Sequence, residues 1–212
     1  MTWREMRLFH EKPFTKYWGL QMTSFMFESR RNRLQLLALL VSMAAAAGMV
    51  QAEEVKLAEG KLTMAAPESW EKKQPRTRIV EVEYSVPAEE AETAAARLTM
   101  MASGGGVQAN IDRWFGQFEQ PNKKPTKDVA KVEKMELAGV PVHMVDISGK
   151  FKDQPRGPFG PTVVRENYRM LGAIIETTNA GTYYVKLYGP AETIHENEKQ
   201  FVSLIKSLKI AK

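Results

Sequence analysis

Residues 172–190 read GAIIETTNAGTYYVKLYGP, and this stretch decides the fold. Two runs rich in β-branched and aromatic residues, Arg169 to Thr177 and Thr182 to Tyr188, flank Asn179-Ala180-Gly181. A three-residue loop that ends in glycine is typical of a β-hairpin, because glycine readily adopts the left-handed conformation that such a loop needs. The stretch therefore predicts two long antiparallel strands.

Other segments show the same period of two. Arg78 to Val86 (RIVEVEYSV) predicts a half-buried strand, with Tyr84 on its apolar face and Glu83 on its polar face. The further predicted strands are Val55 to Leu57, Leu62 to Met64, Arg97 to Ala102, Lys131 to Leu137 and Val140 to Ser148. The last of these is apolar on both faces, which predicts a central position in the sheet.

Two segments have helical spacing instead. The first carries its apolar residues at Val107, Ile111, Trp114, Phe115 and Phe118, and the second, which begins at Pro190, carries them at Ile194, Phe201, Ile205 and Leu208. We expect Trp114 and Phe118 to belong to the core, with a ligand groove as the alternative. Two helices and a mostly antiparallel sheet predict an α+β fold, an α/β/α sandwich formed by a single domain over residues 53–212.

Several phrases of the sequence resemble one family. They are APESWEKK (Ala66 to Lys73), VQANIDRWFGQF (Val107 to Phe118), the hairpin from Gly172 to Pro190 and the closing helix. In this order they resemble the PsbP-like fold, which is shared by the extrinsic photosystem II subunit and the Ran-binding Mog proteins. The resemblance spans nearly all of residues 55–210 and implies the fold. It transfers neither the photosystem contacts nor the Ran contacts to any position of this chain.

The N-terminal part has the order of a secretory signal. Residues 34–50 (LQLLALLVSMAAAAGMV) are apolar or small almost throughout, follow a cluster of three arginines at 30, 31 and 33, and lead to Val50-Gln51-Ala52. This is the n-region, h-region and small-residue cleavage site of a leader, so we expect residues 1–52 to be removed after Ala52. A retained membrane anchor is the alternative, because the apolar run lies at the lower edge of the length that spans a bilayer.

The true start of the chain is a separate question. Residues 1–21 contain several aromatic residues in mixed charge, which is unlike an n-region, whereas Met22 or Met26 would begin a leader of ordinary length. We therefore expect a signal peptide at about 22–52 and a misassigned start. The alternative is an N-terminal extension with a role of its own.

The net charge of +5 does not indicate a basic nucleic-acid-binding surface on the folded domain, because the excess charge lies in the leader. Residues 1–52 hold seven Lys or Arg and three Glu, which leaves 23 basic and 22 acidic residues in the remainder. The domain after the leader is thus near neutral, and binding driven by phosphate neutralisation loses its support. The chain contains no cysteine, so an exported domain of this length must be held by its core alone.

A long loop gives the candidate binding residues. Phe151 to Val164 (FKDQPRGPFGPTVV) contains three prolines and two glycines, and therefore predicts a loop and not a strand. Loops stiffened by proline lose less entropy on binding, and aromatic and arginine side chains dominate binding hot spots. We expect Phe159 to be an apolar anchor, with Arg156 and Arg165 as polar contacts. In the alternative, Phe159 folds back onto the edge of the sheet.

Other constellations are interpreted structurally. Gly104 to Ala109 matches G-x-G-x-x-A, but no parallel βαβ pattern surrounds it, so it predicts a strand-to-helix turn rather than a phosphate site. Two Ser-x-x-Lys matches, at Ser69 and Ser203, lack the companion motifs of a hydroxyl nucleophile and are attributed to chance.

Three titratable residues of the β-rich part are interpreted in the same way. A zinc site would need both His143 and His195 plus a carboxylate, and we expect His143 to be a structural histidine. Asp146 is expected to be a partly buried carboxylate paired with Arg165 or Arg169. No metal or other cofactor is expected.

These observations favour a non-enzymatic binding or accessory domain, exported to the periplasm or the extracellular space. Its partner is expected to be a protein or a small ligand of the cell envelope, and neither nucleic acid nor stable membrane insertion after cleavage is expected. Two alternatives remain open. One is an envelope hydrolase whose site is assembled from scattered residues, and the other is a membrane-anchored structural protein of the envelope.

Overall fold

The computed structural model describes residues 52–90, 92–155 and 160–211. The strands of these residues are β1 (Ala52–Leu57), β2 (Leu62–Pro67), β3 (Glu71–Lys73), β4 (Val82–Val86), β5 (Ala96–Ala102), β6 (Phe118–Glu119), β7 (Lys131–Leu137), β8 (Val140–Asp153), β9 (Val163–Glu176), β10 (Thr182–Pro190) and β11 (Lys209–Ile210). The α-helices are α1 (Val107–Gly116), α2 (Ala191–Glu196) and α3 (Glu198–Lys206), and two 3-10 turns span Ala58–Gly60 and Thr126–Asp128.

The strands form two antiparallel sheets. A three-stranded sheet has the order β1-β2-β11, and an eight-stranded sheet has the order β3-β4-β5-β10-β9-β8-β6, with β7 also paired to β8. The α+β class with a mostly antiparallel sheet is therefore confirmed. The position of β8 is confirmed as well, because it pairs with β9 on one side and with β6 and β7 on the other.

The large sheet is buried on both faces. Along β10, Val185 and Leu187 point into a core that also contains β1, β2, α2 and α3, whereas Tyr184 points into a second core beneath α1. Successive side chains of a strand point to opposite faces, so one strand serves both cores. The sandwich is completed by α1 on one face and by α2, α3 and the small sheet on the other.

The hairpin that decides the fold has its expected form. β9 and β10 pair from Thr182 opposite Glu176 to Pro190 opposite Tyr168, and Gly181 has a φ of 77° in the left-handed region. The Thr177 side chain closes the turn, because its Oγ1 donates to the Gly181 carbonyl at 2.7 Å.

The short strands β3, β6 and β11 were not predicted from the sequence, and three predicted elements differ in extent. The strand expected at 78–86 begins only at Val82, because residues 77–80 form a turn closed by the bond from the Val80 N–H to the Thr77 carbonyl. The loop expected at 151–164 is shorter, since residues 151–153 and 163–164 pair as strands and the three prolines all lie between them. The closing helix is broken at Asn197 into α2 and α3.

Asn197 explains the break in the closing helix. Its Nδ2 donates to the carbonyls of Thr193 and Pro87, both at 2.9 Å, and its Oδ1 accepts a hydrogen bond of 3.0 Å from the indole N–H of Trp70. The same contact fixes Trp70, which is buried after the end of β2. Within the described residues, no helix is long and apolar enough to cross a membrane.

Candidate functional site

A cleft of about 550 Å³ opens on the α1 face of the large sheet, beyond the C-terminal end of α1. We name it the aromatic–lysine cleft. Its floor and walls come from β5, β8, β9, β10, the residue after α1 and the turn before β4. The residues that line it are Arg76, Thr77, Ile79, Val80, Ala95, Arg97, Thr99, Met101, Gln117, Phe151, Lys152, Asp153, Gln154, Pro155, Arg165, Tyr168, Lys186, Tyr188 and Gly189. A larger hollow of about 690 Å³ is bounded by residues 72–83 alone and gathers no comparable set of elements.

Lys186 lies at the floor of the cleft. The alternation of β10 places it on the same face as Tyr184 and Tyr188, and the register sets it opposite Thr99 of β5 and Gly172 of β9. Both neighbours are small, but Trp114 packs over Gly172, and the lysine ammonium lies near the rings of Tyr188 and Phe151.

The environment of the Lys186 ammonium is largely aromatic. Its Nζ lies 4.9 Å from the ring centroid of Tyr188 and 5.3 Å from that of Phe151, and it donates a hydrogen bond to Gln117 Oε1. The pKa of Lys186 is lowered to about 7, mainly by burial and also by the nearby charge of Arg97, whereas Asp153 opposes the shift. The ammonium therefore changes its charge close to neutral pH.

The aromatic rings form one wall. Phe151 is 4% exposed and stacks on Tyr168 with ring centroids 5.9 Å apart and planes 3° apart. It also contacts Tyr188 and Phe118 at centroid distances of 5.2 and 5.1 Å. This wall gives the cleft a flat apolar surface beside the ammonium, and cation–π attraction favours the lysine position.

A buried ion pair borders the floor. Glu83 accepts hydrogen bonds of 2.8 Å from both Nε and an Nη of Arg97, and one of 3.2 Å from the backbone N–H of Arg76. The other Nη of Arg97 donates to the Tyr188 hydroxyl at 2.7 Å. The guanidinium of Arg97 holds the pKa of Glu83 below its ordinary value. The expectation that Glu83 lies on a polar outer face is wrong, because Arg97 on the neighbouring strand neutralises it in a buried position.

The mouth of the cleft combines an apolar residue with charged ones. Ile79 is 71% exposed, which is unusual for a large apolar side chain. Arg165 also lines the cleft and is paired to Asp153 through Nε and Oδ2 at 3.3 Å. Lys152 is exposed at the rim. The lining contains five basic side chains and one carboxylate, so the cleft is electropositive.

The structure places the predicted site residues unequally. Arg165 lines the cleft, where it is exposed near the loop end of the β8–β9 hairpin, opposite Phe151. Arg156 and Phe159 lie outside the described residues. The chain enters that segment through Pro155, which itself lines the cleft.

The residues interpreted as structural have the expected contacts. His143 Nε2 lies 2.9 Å from Glu176 Oε1, and Asp146 binds Arg169 through two hydrogen bonds of 2.9 Å. His195 is exposed on α2, and neither histidine lines the cleft. Among residues 52–90, 92–155 and 160–211, no three histidine or acidic side chains are grouped so that they could hold a metal ion.

The two remaining motifs are also accounted for. Asn110 Nδ2 donates to the carbonyls of Gly104 and Gly106 and to the Tyr184 hydroxyl, which makes the glycine-rich segment a strand-to-helix turn. Trp114 and Phe118 are 7% and 4% exposed and belong to the core under α1, as expected from helical spacing.

Sequence reasoning missed Lys186 and Tyr188. A signal for them was present in YYVKLYG, because alternation along this strand puts a lysine on the same face as two tyrosines. A lysine on a strand buried on both faces is unusual and needs a partner or a ligand. The sequence does not show which residues surround Lys186, since Gln117 and Phe151 come from other elements of the fold.

Comparison with known proteins concerns the fold alone. No protein-family model matches the chain, and no curated protein matches it in sequence. Solved structures similar to it include the cyanobacterial PsbP (CyanoP) of Synechocystis sp. PCC 6803, with 10% identity, a TM-score of 0.47, and 78% of this chain and 96% of that chain covered. The Ran-binding protein Mog1p of Saccharomyces cerevisiae has 10% identity, a TM-score of 0.43, and coverages of 76% and 96%.

A third similar structure is LpqN of Mycobacterium tuberculosis, which is described as involved in cell envelope biogenesis. It has 8% identity and a TM-score of 0.43, and the match covers 78% of this chain and 93% of that chain. These structures agree with the PsbP-like fold named from the sequence. At such identities they carry no residue role and no partner to this chain.

Proposed function

We propose that this protein is an exported, non-enzymatic binding or accessory domain of the cell envelope, and that the aromatic–lysine cleft is its binding site. The observation that carries the proposal is the cleft itself, where an exposed Ile79, a wall of aromatic rings and the ammonium of Lys186 face one open space. Concave sites with an apolar lining and a few polar groups are the usual form of a ligand site.

The loop residues named from the sequence extend the same site in this proposal. Arg165 already lines the cleft, and Arg156 follows directly after Pro155, another lining residue. We assign Arg156 and Arg165 as polar contacts and Phe159 as an apolar contact of the partner. The partner is a protein segment or a small molecule of the envelope.

Site-specific photocrosslinking in intact cells tests the binding role. A photoreactive phenylalanine at Ile79, at the mouth of the cleft, is expected to give a discrete protein or small-molecule adduct. The same residue at Val132, which is also exposed but lies on edge strand β7, is expected to give none. Ala95 lines the cleft and is exposed, so Ala95→Trp should fill its mouth and abolish the adduct.

Ala94→Trp is the matched control, because Ala94 is exposed but does not line the cleft. It is expected to leave the adduct unchanged. An Ile79 adduct that survives Ala95→Trp, or equal adducts from Ile79 and Val132, would remove the cleft as the binding site.

Export is the second part of the proposal, and it predicts cleavage after Ala52. Ala52 is the first residue of β1, opposite Pro67, so cleavage there leaves Glu53 to Leu57 paired with β2. N-terminal sequencing and intact mass of the protein from envelope fractions are expected to show a chain that begins at Glu53. A mature N-terminus before Leu34, or retention with integral membrane proteins after an alkaline wash, would contradict export by cleavage.

A further inference from the structure

The charge of Lys186 has no matching anion within the described part of the chain. None of the ion pairs there includes its ammonium, and its hydrogen-bond partner, Gln117 Oε1, is neutral. A buried cation is costly unless it is paired, and the two aromatic rings beside it compensate only part of that cost. At least one N–H of the ammonium remains available to a ligand, because a lysine carries three.

Two of the other cations of the cleft are already engaged, and the remaining two, Arg76 and Lys152, are exposed at its rim. The Arg97 guanidinium donates its hydrogen bonds to Glu83 and the Tyr188 hydroxyl, and Arg165 is paired with Asp153. Among the described residues, the Lys186 ammonium is therefore the one uncompensated positive charge at the floor of the cleft. One singly charged anion would balance it, whereas a dianion such as phosphate would leave a buried negative charge without a partner.

The surroundings of Lys186 also define the rest of the ligand. Tyr168 and Phe151 present stacked rings, and Ile79 adds an exposed aliphatic side chain at the mouth. These surfaces fit a flat or aliphatic apolar body and offer little to a strongly hydrated one.

We infer that the cleft binds a small organic carboxylate, whose carboxylate group pairs with the Lys186 ammonium and whose apolar body lies against Phe151, Tyr168 and Ile79. This inference rests on the proposed binding role of the cleft and adds the chemical class of the ligand. The carboxylate belongs either to a free small molecule or to the terminus of a peptide, and both present the same group to Lys186.

Binding of a carboxylate should depend on pH. The charged and titratable groups around the ammonium are Arg76, Arg97 with its partner Glu83, Lys152, Asp153, Arg165, Tyr168 and Tyr188. Arginine stays protonated throughout, and burial raises the pKa of Tyr188, so it remains neutral. The anion favours the protonated lysine, so affinity is highest below pH 7 and falls above it, by at most about tenfold per pH unit.

The test compares benzoate with benzamide, which has nearly the same shape and no charge, and with inorganic phosphate. Titrations followed by NMR of the exported protein at pH 6 should place benzoate in the cleft, through shifts of the Gln117 and Lys186 amides. We expect benzoate to bind at least about tenfold more tightly than benzamide, the effect of one charge-assisted hydrogen bond in a buried site. A short peptide with a free or an amidated C-terminal phenylalanine separates the two sources of the carboxylate.

Lys186→Met removes the charge, keeps most of the length of the side chain and suits the apolar surroundings, so the variant is expected to fold. It should abolish the preference for benzoate and leave benzamide binding unchanged. Lys134→Met in β7 is the matched control, because Lys134 is exposed and does not line the cleft. It should alter the preference less than about twofold, since exposed charges are screened.

The outcomes separate this inference from the binding role of the cleft. Equal binding of benzoate and benzamide in the cleft, tighter binding of phosphate, or a preference that survives Lys186→Met overturns the carboxylate inference alone. Failure of all probes at millimolar concentration also overturns it. The crosslinking from Ile79 decides the binding role independently, since it assumes nothing about charge.

Discussion

Glu83 shows how much one buried carboxylate depends on its neighbours. The side chain is 4% exposed and accepts three hydrogen bonds, two of them from Arg97. Because these bonds lower the pKa of Glu83 below its ordinary 4.5, the folded state binds fewer protons than the unfolded state in mildly acid solution. The resulting stability is present above pH 4.5 and is lost as the pH falls through the lowered pKa.

Glu83→Gln is expected to lower the free energy of unfolding at pH 7 by about 3 kcal/mol, because it leaves the Arg97 guanidinium without its anion in a mostly buried site. The variant should also lose less stability than the wild type between about pH 5 and pH 2. Urea denaturation at several pH values measures both effects.

The control for Glu83 is Glu71→Gln in β3. Glu71 is 69% exposed and pairs with Lys73 at the edge of the sheet. Exposed ion pairs contribute little, so stability should be nearly unchanged. Equal effects of the two substitutions would contradict the assigned role of the buried pair.

At the scale of elements, the approach of α1 to the sheet depends on Gly172. A Cβ at this position would lie 2.5 Å from Cζ3 of Trp114. The absence of a side chain therefore allows Trp114 to pack against β9, where its ring also meets Tyr184 edge-on at a centroid distance of 6.1 Å. The same contact holds the end of α1 where Gln117 reaches Lys186.

Gly172→Ala is expected to destabilise the protein by about 1–3 kcal/mol, because an extra methyl group must displace a packed indole. Thermal unfolding measures the loss, and a shift of the Trp114 fluorescence reports the displacement. Gly116→Ala is the control, since a Cβ there meets no atom within 4 Å. Gly116 ends α1, so alanine should leave stability unchanged or raise it by about 0.5–1 kcal/mol. A Gly172→Ala protein as stable as the wild type would contradict the close packing of α1.

At the scale of the whole molecule, two cores share one sheet. Trp70 belongs to the core with β1, β2 and the C-terminal helices, and Trp114 belongs to the core under α1. Since Tyr184 and Val185 of the same strand enter opposite cores, loss of one core removes the support of the other. We expect both to unfold in one cooperative transition, as is usual for a domain of this size.

Fluorine NMR of protein labelled with 5-fluorotryptophan measures the two cores separately, with Trp→Phe variants to assign the signals. The Trp70 and Trp114 signals are expected to shift at the same urea concentration. Separate midpoints would show that the two faces of the sheet unfold independently.

Local patterns in the sequence were sufficient for the main strands, the first helix and the fold class. The hairpin around Asn179-Ala180-Gly181, the period of two in the strands and the helical spacing of Ile111 and Trp114 depend on residues a few positions apart. Such patterns reflect backbone geometry and turn chemistry, which act locally. For the same reason the pairing of Asp146 with an arginine on the next strand could be expected, although not which arginine.

The site was decided only by the tertiary structure. Lys186 meets Gln117 across a sequence separation of 69, and Arg97 meets Tyr188 across one of 91. These contacts follow from the strand order, which places β5 beside β10, and from the register, which sets Arg97 opposite Tyr188. No local pattern encodes either, because strand order and register are set by the packing of the whole sheet against its two cores. The sequence by itself determined that a lysine and several aromatic residues occupy strands, and only the folded sheet brought them to one cleft.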